Sequence, residues 1–275
     1  MKLLLVGDVV GKPGRNIVQR ALPGLRLKHK LDLIAVNSEN AAAGSGLTPE
    51  TYNDIVSSGA DVLTMGDHIF KRKEIFPILE TQSNIIKPAN YPVEAPGKTY
   101  ALVDLPLGRR AAVISVVGRV FMNPADCPFH AVDKILKSLP SDIKIILVDF
   151  HAEATSDKQL MGRHLDGRVT AVLGTHTHVA TADEQIYPGG TAFQCDVGMT
   201  GPMDSIIGRR IDCVRETTYS FKPTRYEVAE GNPQLHGTIV EFDHISGKAT
   251  KIERLLVSES DLPELEKLAL LQHYR

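Results

Sequence analysis

The sequence predicts an α/β protein arranged as a four-layer α/β/β/α sandwich, two mixed sheets flanked by helices. Three observations carry that expectation. Over residues 1–80, short apolar runs alternate with helical stretches in the order β-α-β-α-β-α, the pattern of a largely parallel sheet covered by helices. Past Gly208, apolar and polar residues alternate instead, as in antiparallel strands. No linker, repeat or low-complexity tract separates the halves, so the 275 residues are expected to form one domain, 1–275, near the upper size for a single core.

Each element has a local reason. Leu3–Val6 is a short apolar run that stops at Gly7-Asp8, a buried strand entering a loop. Helical periodicity follows from Gly14 to His29, then a second apolar run, Leu33–Asn37. Thr48-Pro49 starts a helix, a hydroxyl N-cap followed by Pro at the first helical position, and that helix closes near Gly59. Val62–Met65 reads as a strand and Ile69–Glu80 as a helix. Tyr100–Asp104 and Ala111–Val117 flank Leu105-Pro106-Leu107-Gly108 as a hairpin. A helix over Ala131–Leu139 precedes the apolar strands Ile143–Val148 and Val169–Leu173. Thr218–Val228, Gly237–Phe242 and Thr250–Val257 read as antiparallel strands, and Leu262–His273 as a closing amphipathic helix packed on the core, a dimer contact there being the minor reading.

Composition narrows the class of function. The balance of 31 Lys+Arg against 33 Asp+Glu excludes a basic nucleic-acid coat. With no Trp and 5% aromatic residues, extended stacking platforms are not expected. Asp8 cuts the N-terminal apolar run too short for a signal peptide, and no stretch approaches a membrane span. Cys127, Cys195 and Cys213 are odd in number and lack CxxC spacing, which suits a reducing cytoplasm.

Polar residues suited to metals follow one apolar strand after another. Asp8 follows the first, Glu39 and Asn40 the second, Asp67 and His68 the third, His151 the Ile143–Val148 strand, and His176 and His178 the Val169 strand. Carboxyl ends of parallel strands share one edge, so these stretches are expected to converge. In extended backbone i and i+2 point the same way, which would face His176 and His178 to one site. Asp8, Glu39, Asn40, Asp67, His151, His176 and His178 are oxygen and imidazole donors without thiolates, a set that fits divalent Mn, Fe or Zn. Seven donors exceed one tetrahedral ion and suit two ions sharing a carboxylate, about 3.5–4 Å apart, which can clamp a phosphoryl group. His68 is spare in that count and free to protonate a leaving oxygen.

The segments GDVVGKPGR (7–15), NSENAAAGSGL (37–47), TMGDHIFKRKEIF (64–76), DFHAEATSDK (149–158), GTHTHVATAD (174–183) and DVGMTGPMDSIIG (196–208) resemble the YmdB-like metallophosphoesterases, over Met1 to Glu253. The resemblance implies the calcineurin-like phosphoesterase fold, a pair of sheets sandwiched between helices. It also implies phosphodiesterase activity on cyclic nucleotides, including 2',3'-cyclic AMP and 3',5'-cyclic AMP, and a link to bacterial RNA turnover and developmental signalling. Carried over by position, Asp8, Glu39, Asn40 and His178 would hold one ion, and Asp67, His151 and His176 a second, with Glu39 as the bridge. Metal-bound hydroxide would attack phosphorus while His68 protonates or orients the leaving ribose oxygen. Two departures stand out. Val10 replaces the His of the superfamily's Asp-x-His, a loss the YmdB-like group shares, and Gly66-Asp67-His68 replaces its usual Gly-Asn-His. Asp67 adds negative charge beside an anionic substrate, which bears on metal preference and rate.

The expected partner is a small phosphodiester or nucleotide, with neither a membrane nor extended nucleic acid, and with a homo-oligomer left open. A phosphomonoesterase or RNA-end phosphoesterase of the same fold, or a low-turnover nucleotide-sensing regulator, are the competing readings. Gly198-Met199-Thr200-Gly201-Pro202 lacks the Walker Lys and Ser/Thr and is expected as a tight turn. Small residues over Ala41–Gly46 permit close backbone approach near Asn40, Arg119 reads as a surface cation, and His29, His130, His164, His236, His244 and His273 as ordinary residues.

Overall fold

Leu3 and Leu5 leave one face of the first strand and Leu4 and Val6 the other, and all four are fully buried. Such a strand needs a packed layer on each side. The computed structural model describes residues 1–272, and it supplies both layers. Leu3 and Leu5 meet Val113, Leu147 and Leu173 of a second sheet, whereas Leu4 and Val6 pack with Ile17, Leu22, Ile55 and Leu265 on helices. A third core lies behind the second sheet, where Ile114, Val148 and Phe150 meet Val132, Ile135 and Met161. Three cores between four layers are the predicted α/β/β/α sandwich.

In chain order the elements are β1 (Lys2–Val6), β2 (Asp8–Val9), α1 (Gly11–His29), β3 (Leu33–Asn37), α2 (Pro49–Ser57), β4 (Val62–Thr64), α3 (Phe76–Thr81), β5 (Ile85–Ile86), β6 (Tyr100–Leu105), β7 (Arg109–Val117) and α4 (Pro128–Ser138). They continue with β8 (Ile145–His151), α5 (Thr155–His164), β9 (Ala171–Thr175), β10 (Gln185–Ile186), β11 (Ala192–Gln194), β12 (Met199–Pro202), α6 (Ile211–Ser220), β13 (Pro233–Phe242), β14 (Ala249–Ser258) and α7 (Leu262–Gln272). The first sheet runs β2-β12-β13-β1-β3-β4-β5 with β14 on β13, and the second β10-β11-β9-β8-β7-β6. β1, β3, β4 and β5 are parallel neighbours, as are β7, β8, β9 and β11.

Helix α2 starts as expected, its Thr48 cap sharing a reciprocal bond pair with Thr51. The α1–α7 contact depends on Gly24, where a Cβ would strike the Leu265 carbonyl. The last residue of the predicted closing helix, His273, lies outside the described residues.

Three expectations about elements change. The Ile69–Glu80 helix shrinks to α3, because Pro77 is tolerated only in a first turn and the preceding residues fold as turns. Thr218–Val228 is not a strand. Helix α6 runs through Ser220 into left-handed Phe221, and Pro223 offers no ladder donor. The predicted turn over Gly198–Pro202 is mostly strand. Gly198 makes the bend at φ 91° and β12 then pairs with β2 and β13. The antiparallel strands β13 and β14 join the first sheet beside β1, and the second sheet is largely parallel.

Candidate metal centre

The carboxyl ends of β1, β3 and β4 in one sheet and of β8 and β9 in the other open onto the same edge. All five predicted stretches meet there. Asp8, Glu39, Asn40 and His151 are buried, and Asp67, His68, His176 and His178 are half-buried. Glu39, Asp67, His151 and His176 each aim one ligand atom at a common point, all within 4.8 Å of one another. Gly66 makes room for them, since a Cβ there would collide with Glu39 Oε2 and His151 Nε2.

The hydrogen bonds around the cluster fix which atoms face inward. Thr175 Oγ1 donates to Asp149 Oδ1 at 2.7 Å and therefore accepts from His151 Nδ1 at 2.9 Å. His151 Nε2 is thereby the inward-facing atom, 3.2 Å from Glu39 Oε1 and 3.1 Å from Asp67 Oδ1. His176 Nε2 lies 3.2 Å from Glu153 Oε2 as an ion-pair contact, and its Nδ1 is 3.0 Å from His151 Nε2. Two imidazole nitrogens and two carboxylates thus converge on one point, a set that a divalent cation would satisfy.

Beside this group, His178 Nδ1 donates to the Ile207 carbonyl at 2.9 Å and turns Nε2 toward Asp8 Oδ1 at 3.6 Å. That oxygen is buried and has no hydrogen-bond partner, which is costly without a cation. Asn40 turns its amide nitrogen to His178 Nε2 and Glu39 Oε1, both at 3.3 Å, and its oxygen to His68 Nδ1 at 2.7 Å. A half-turn of the amide exchanges these two ends. The His68 N–H also binds Glu39 Oε2 at 3.0 Å.

Charge follows the same division. Burial disfavours a charged His151, yet the summed pull of Glu39, Asp67 and Asp8 lifts it well above the usual imidazole range. Burial likewise opposes the Asp8 carboxylate, but His178 and His151 outweigh it and hold Asp8 low. Asp67 is held low against burial by His151, His68 and His176. His178 is raised, Asp8 overcoming its burial, whereas burial and then His151 lower His176. The cluster is a sink for positive charge.

Several supporting residues escaped the sequence reading. Asp149 lies wholly beneath the cluster, accepting from Thr64 Oγ1 at 2.5 Å, Thr175 Oγ1 at 2.7 Å and Asn37 Nδ2 at 3.2 Å, so it stitches the two sheets together. Burial pushes its pKa up to about 6. The period of two was its signal, because Asp149 and His151 share a face of β8. Asp196 holds the turn between the two histidines. Its Oδ2 accepts from the Thr177 N–H at 3.0 Å, the Thr177 hydroxyl at 2.7 Å and the buried Lys158 Nζ at 2.7 Å. That turn is not extended, contrary to the expectation. β9 ends at Thr175, and His176 and His178 take φ of 97° and 65°, so the two rings reach opposite sides of the site. Backbone of this kind persists only where its surroundings hold it.

Among the described residues, the remaining histidines stay apart. His164 pairs with Asp133 at 3.0 Å and His236 bonds Gln234 at 3.1 Å. Arg119 is exposed, and Val10 is buried behind the site, where Gly201 and Gly208 pack on it.

The family model described as "YmdB-like protein" matches residues 4–255. The chain is 44% identical over 264 residues to the 2',3'-cyclic-nucleotide 2'-phosphodiesterase of Bacillus subtilis, an alignment that covers 95% of this chain and 99% of that one. A crystal structure of a hypothetical protein from Thermus thermophilus superposes with a TM-score of 0.89 at 37% identity, covering 94% of this chain and 100% of the other. That of a novel phosphatase from Mycoplasma pneumoniae gives 0.88 at 30% identity, with 94% and 93% covered.

Proposed function

The chain belongs to the YmdB-like protein family, and from that premise we propose that it is a metal-dependent phosphoric diester hydrolase for cyclic nucleotides, 2',3'-cyclic AMP foremost and 3',5'-cyclic AMP second. The single observation that carries the reading is the convergence of one ligand atom each from Glu39, Asp67, His151 and His176, all within 4.8 Å of one another. The Bacillus subtilis relative's named activity supplies the substrate class.

In this reading Glu39, Asp67, His151 and His176 would hold one divalent ion, and Asp8, Asn40 and His178, with Glu39 shared, would hold another. Mn, Fe or Zn suit these hard and borderline donors. When bound, the ions neutralise phosphate charge and lower the pKa of water enough for attack near neutral pH. The protein's own groups do the rest. Thr175 keeps His151 in the tautomer that turns Nε2 to the ion, and Glu153 faces the outer nitrogen of His176 at 3.2 Å. Turning the Asn40 oxygen toward Asp8 and His178 swings its amide nitrogen to His68 Nδ1. His68 then carries its proton on Nε2, ready for the departing ribose oxygen. Donors drawn from Asp8 to His178 across both sheets make the chain act as one domain. Free Cys127, Cys195 and Cys213 fit a reducing, cytoplasmic setting, and no helix among the described residues is long and apolar enough to cross a membrane.

Assays with added Mn on 2',3'-cyclic AMP, 3',5'-cyclic AMP and p-nitrophenyl phosphate test the proposal. It expects cleavage of the 2',3'-cyclic diester with little monoester turnover. Monoester cleavage alone would make the protein a phosphomonoesterase instead.

A further inference from the structure

Next to the metal centre, a cavity of about 540 Å³ is lined by Lys12, Arg72, Arg209 and Arg225. None of these four cations makes an ion pair among the described residues, in a chain whose formal charge is -2. The two half-buried ones are held by backbone instead. Arg72 Nε donates to the Ser45 carbonyl at 3.2 Å and Nη2 to that of Ala42 at 3.4 Å, and Arg209 reaches the carbonyls of Ala43 and Gly44. Carbonyls orient a guanidinium without cancelling its charge, and each Arg keeps donors to spare, Nη1 on Arg72 and Nε on Arg209. Two carboxylates reach the rim. Glu227 is already bound to Arg210 at 2.8 Å, which leaves Glu230 against four positive charges.

The cavity is tied to the reacting end by short covalent and hydrogen-bonded paths. The Gly11 N–H, next to Lys12, donates to the Asn40 carbonyl at 3.0 Å. Ile207, whose carbonyl takes the His178 hydrogen at 2.9 Å, lies two residues before Arg209, each step spanning about 3.8 Å. Arg72 follows His68 by four residues, and the loop Ala41–Gly46 that both arginines grip begins at Asn40. The groups that line the cavity are thus joined within four residues to Asn40, to His68 and, through Ile207, to His178 of the metal centre. An uncompensated cluster of Arg and Lys selects phosphate, with Arg able to contact it through two N–H groups at once.

We propose that this cavity binds a second phosphate of the substrate, the one on the 5'-oxygen of a nucleoside whose 2',3'-cyclic phosphate lies at the metal centre. The preferred substrate class is thus a 5'-phosphorylated nucleoside 2',3'-cyclic phosphate, as a free mononucleotide or as the 3' end of a short oligoribonucleotide. The inference rests on the cyclic-nucleotide reading above and goes beyond it by naming which cyclic nucleotides are favoured.

Three substrates separate the possibilities with the Mn-loaded protein: 2',3'-cyclic AMP, its 5'-phosphorylated form, and the diadenosine dinucleotide ending in a 2',3'-cyclic phosphate. The wild type is expected to show kcat/KM about tenfold higher on at least one 5'-phosphorylated substrate than on 2',3'-cyclic AMP. In the K12Q/R225Q variant, both changes being at exposed positions, that ratio should fall to about one. A gain on the mononucleotide identifies a free 5'-phosphate, and a gain confined to the dinucleotide identifies the internucleotide phosphate. Equal kcat/KM on all three, or a gain undiminished in K12Q/R225Q, overturns the proposal. A binding arm needs no turnover: adenosine 3',5'-bisphosphate should bind the wild type about tenfold more tightly than 3'-AMP, and the variant should lose that preference. Failure of every substrate to turn over would sink the functional reading while this arm still decides the cavity, and equal affinities would overturn it.

Discussion

Thr175 shows how much of the site is set by atoms that never touch a ligand. Its hydroxyl gives its hydrogen to Asp149 and takes that of His151 Nδ1, which fixes the lone pair on Nε2. Thr175→Val keeps the shape of a buried β-branched residue and removes both bonds. Metal affinity should fall about 10- to 100-fold, as losses of this kind generally do, and Thr175→Ser should restore it. Titration of chelator-stripped protein with Mn is the check, and unchanged affinity in the Val variant would refute the role. Asp67 makes a different point. Asn at this position would keep an oxygen beside His151 Nε2 but remove one negative charge from a group of three carboxylates. Asp67→Asn should therefore still bind metal while shifting the preference among Mn, Fe and Zn or the turnover rate. Loss of all bound metal would contradict that. The proposed ligand set was legible because each member follows an apolar run. Asp149 carried only the period of two that puts it on the His151 face of β8, and Asp196 carried no signal, since a lone Asp in a loop reads the same whether buried or solvated.

At the scale of elements, the site depends on turns that strands deliver. β9 stops at Thr175 and the chain bends through His176 and His178 with positive φ at both. The Lys158–Asp196 pair, 3% and 1% exposed, ties that bend to α5 and to the start of β12 through the Gly198 N–H at 2.9 Å. Lys158→Met leaves a buried carboxylate without its counter-charge. The expected cost is about 3–5 kcal/mol, seen as a lower urea midpoint with an unchanged m-value. The double change Lys158→Met with Asp196→Leu should recover part of that stability but not the metal affinity, because Thr177 still loses its anchor. Recovery of both would show the pair to be structural only. Helix α5, which carries Lys158, was invisible in the sequence. It buries only Lys158, Met161 and Gly162, so it lacks an apolar stripe. The strands with continuous apolar runs were plain, whereas two-residue strands such as β2, β5 and β10 are defined by their neighbours and leave no local pattern.

Across the whole molecule, the two sheets serve different ends of the same edge. The first contributes Asp8, Glu39, Asn40, Asp67 and His68, and the second His151, His176 and His178, so no ligand set forms until the sheets have packed. The core between them is apolar through Leu3, Leu5, Val113 and Leu147, and turns polar only at the carboxyl ends, where Asn37, Thr64, Asp149 and Thr175 bond across it. That gradient explains why the layered class was readable from strand order alone. How β13 and β14 join the first sheet was not, since antiparallel alternation names no partner. This shared edge is the candidate centre of a metal-dependent phosphodiesterase. Its most direct test is to strip the protein with chelator, titrate Mn, and record bound metal and 2',3'-cyclic AMP turnover together. Turnover should begin at zero, rise with added metal and level off at about two ions per chain. Full turnover by the stripped protein, or two bound ions with no turnover of any phosphodiester, would contradict the claim.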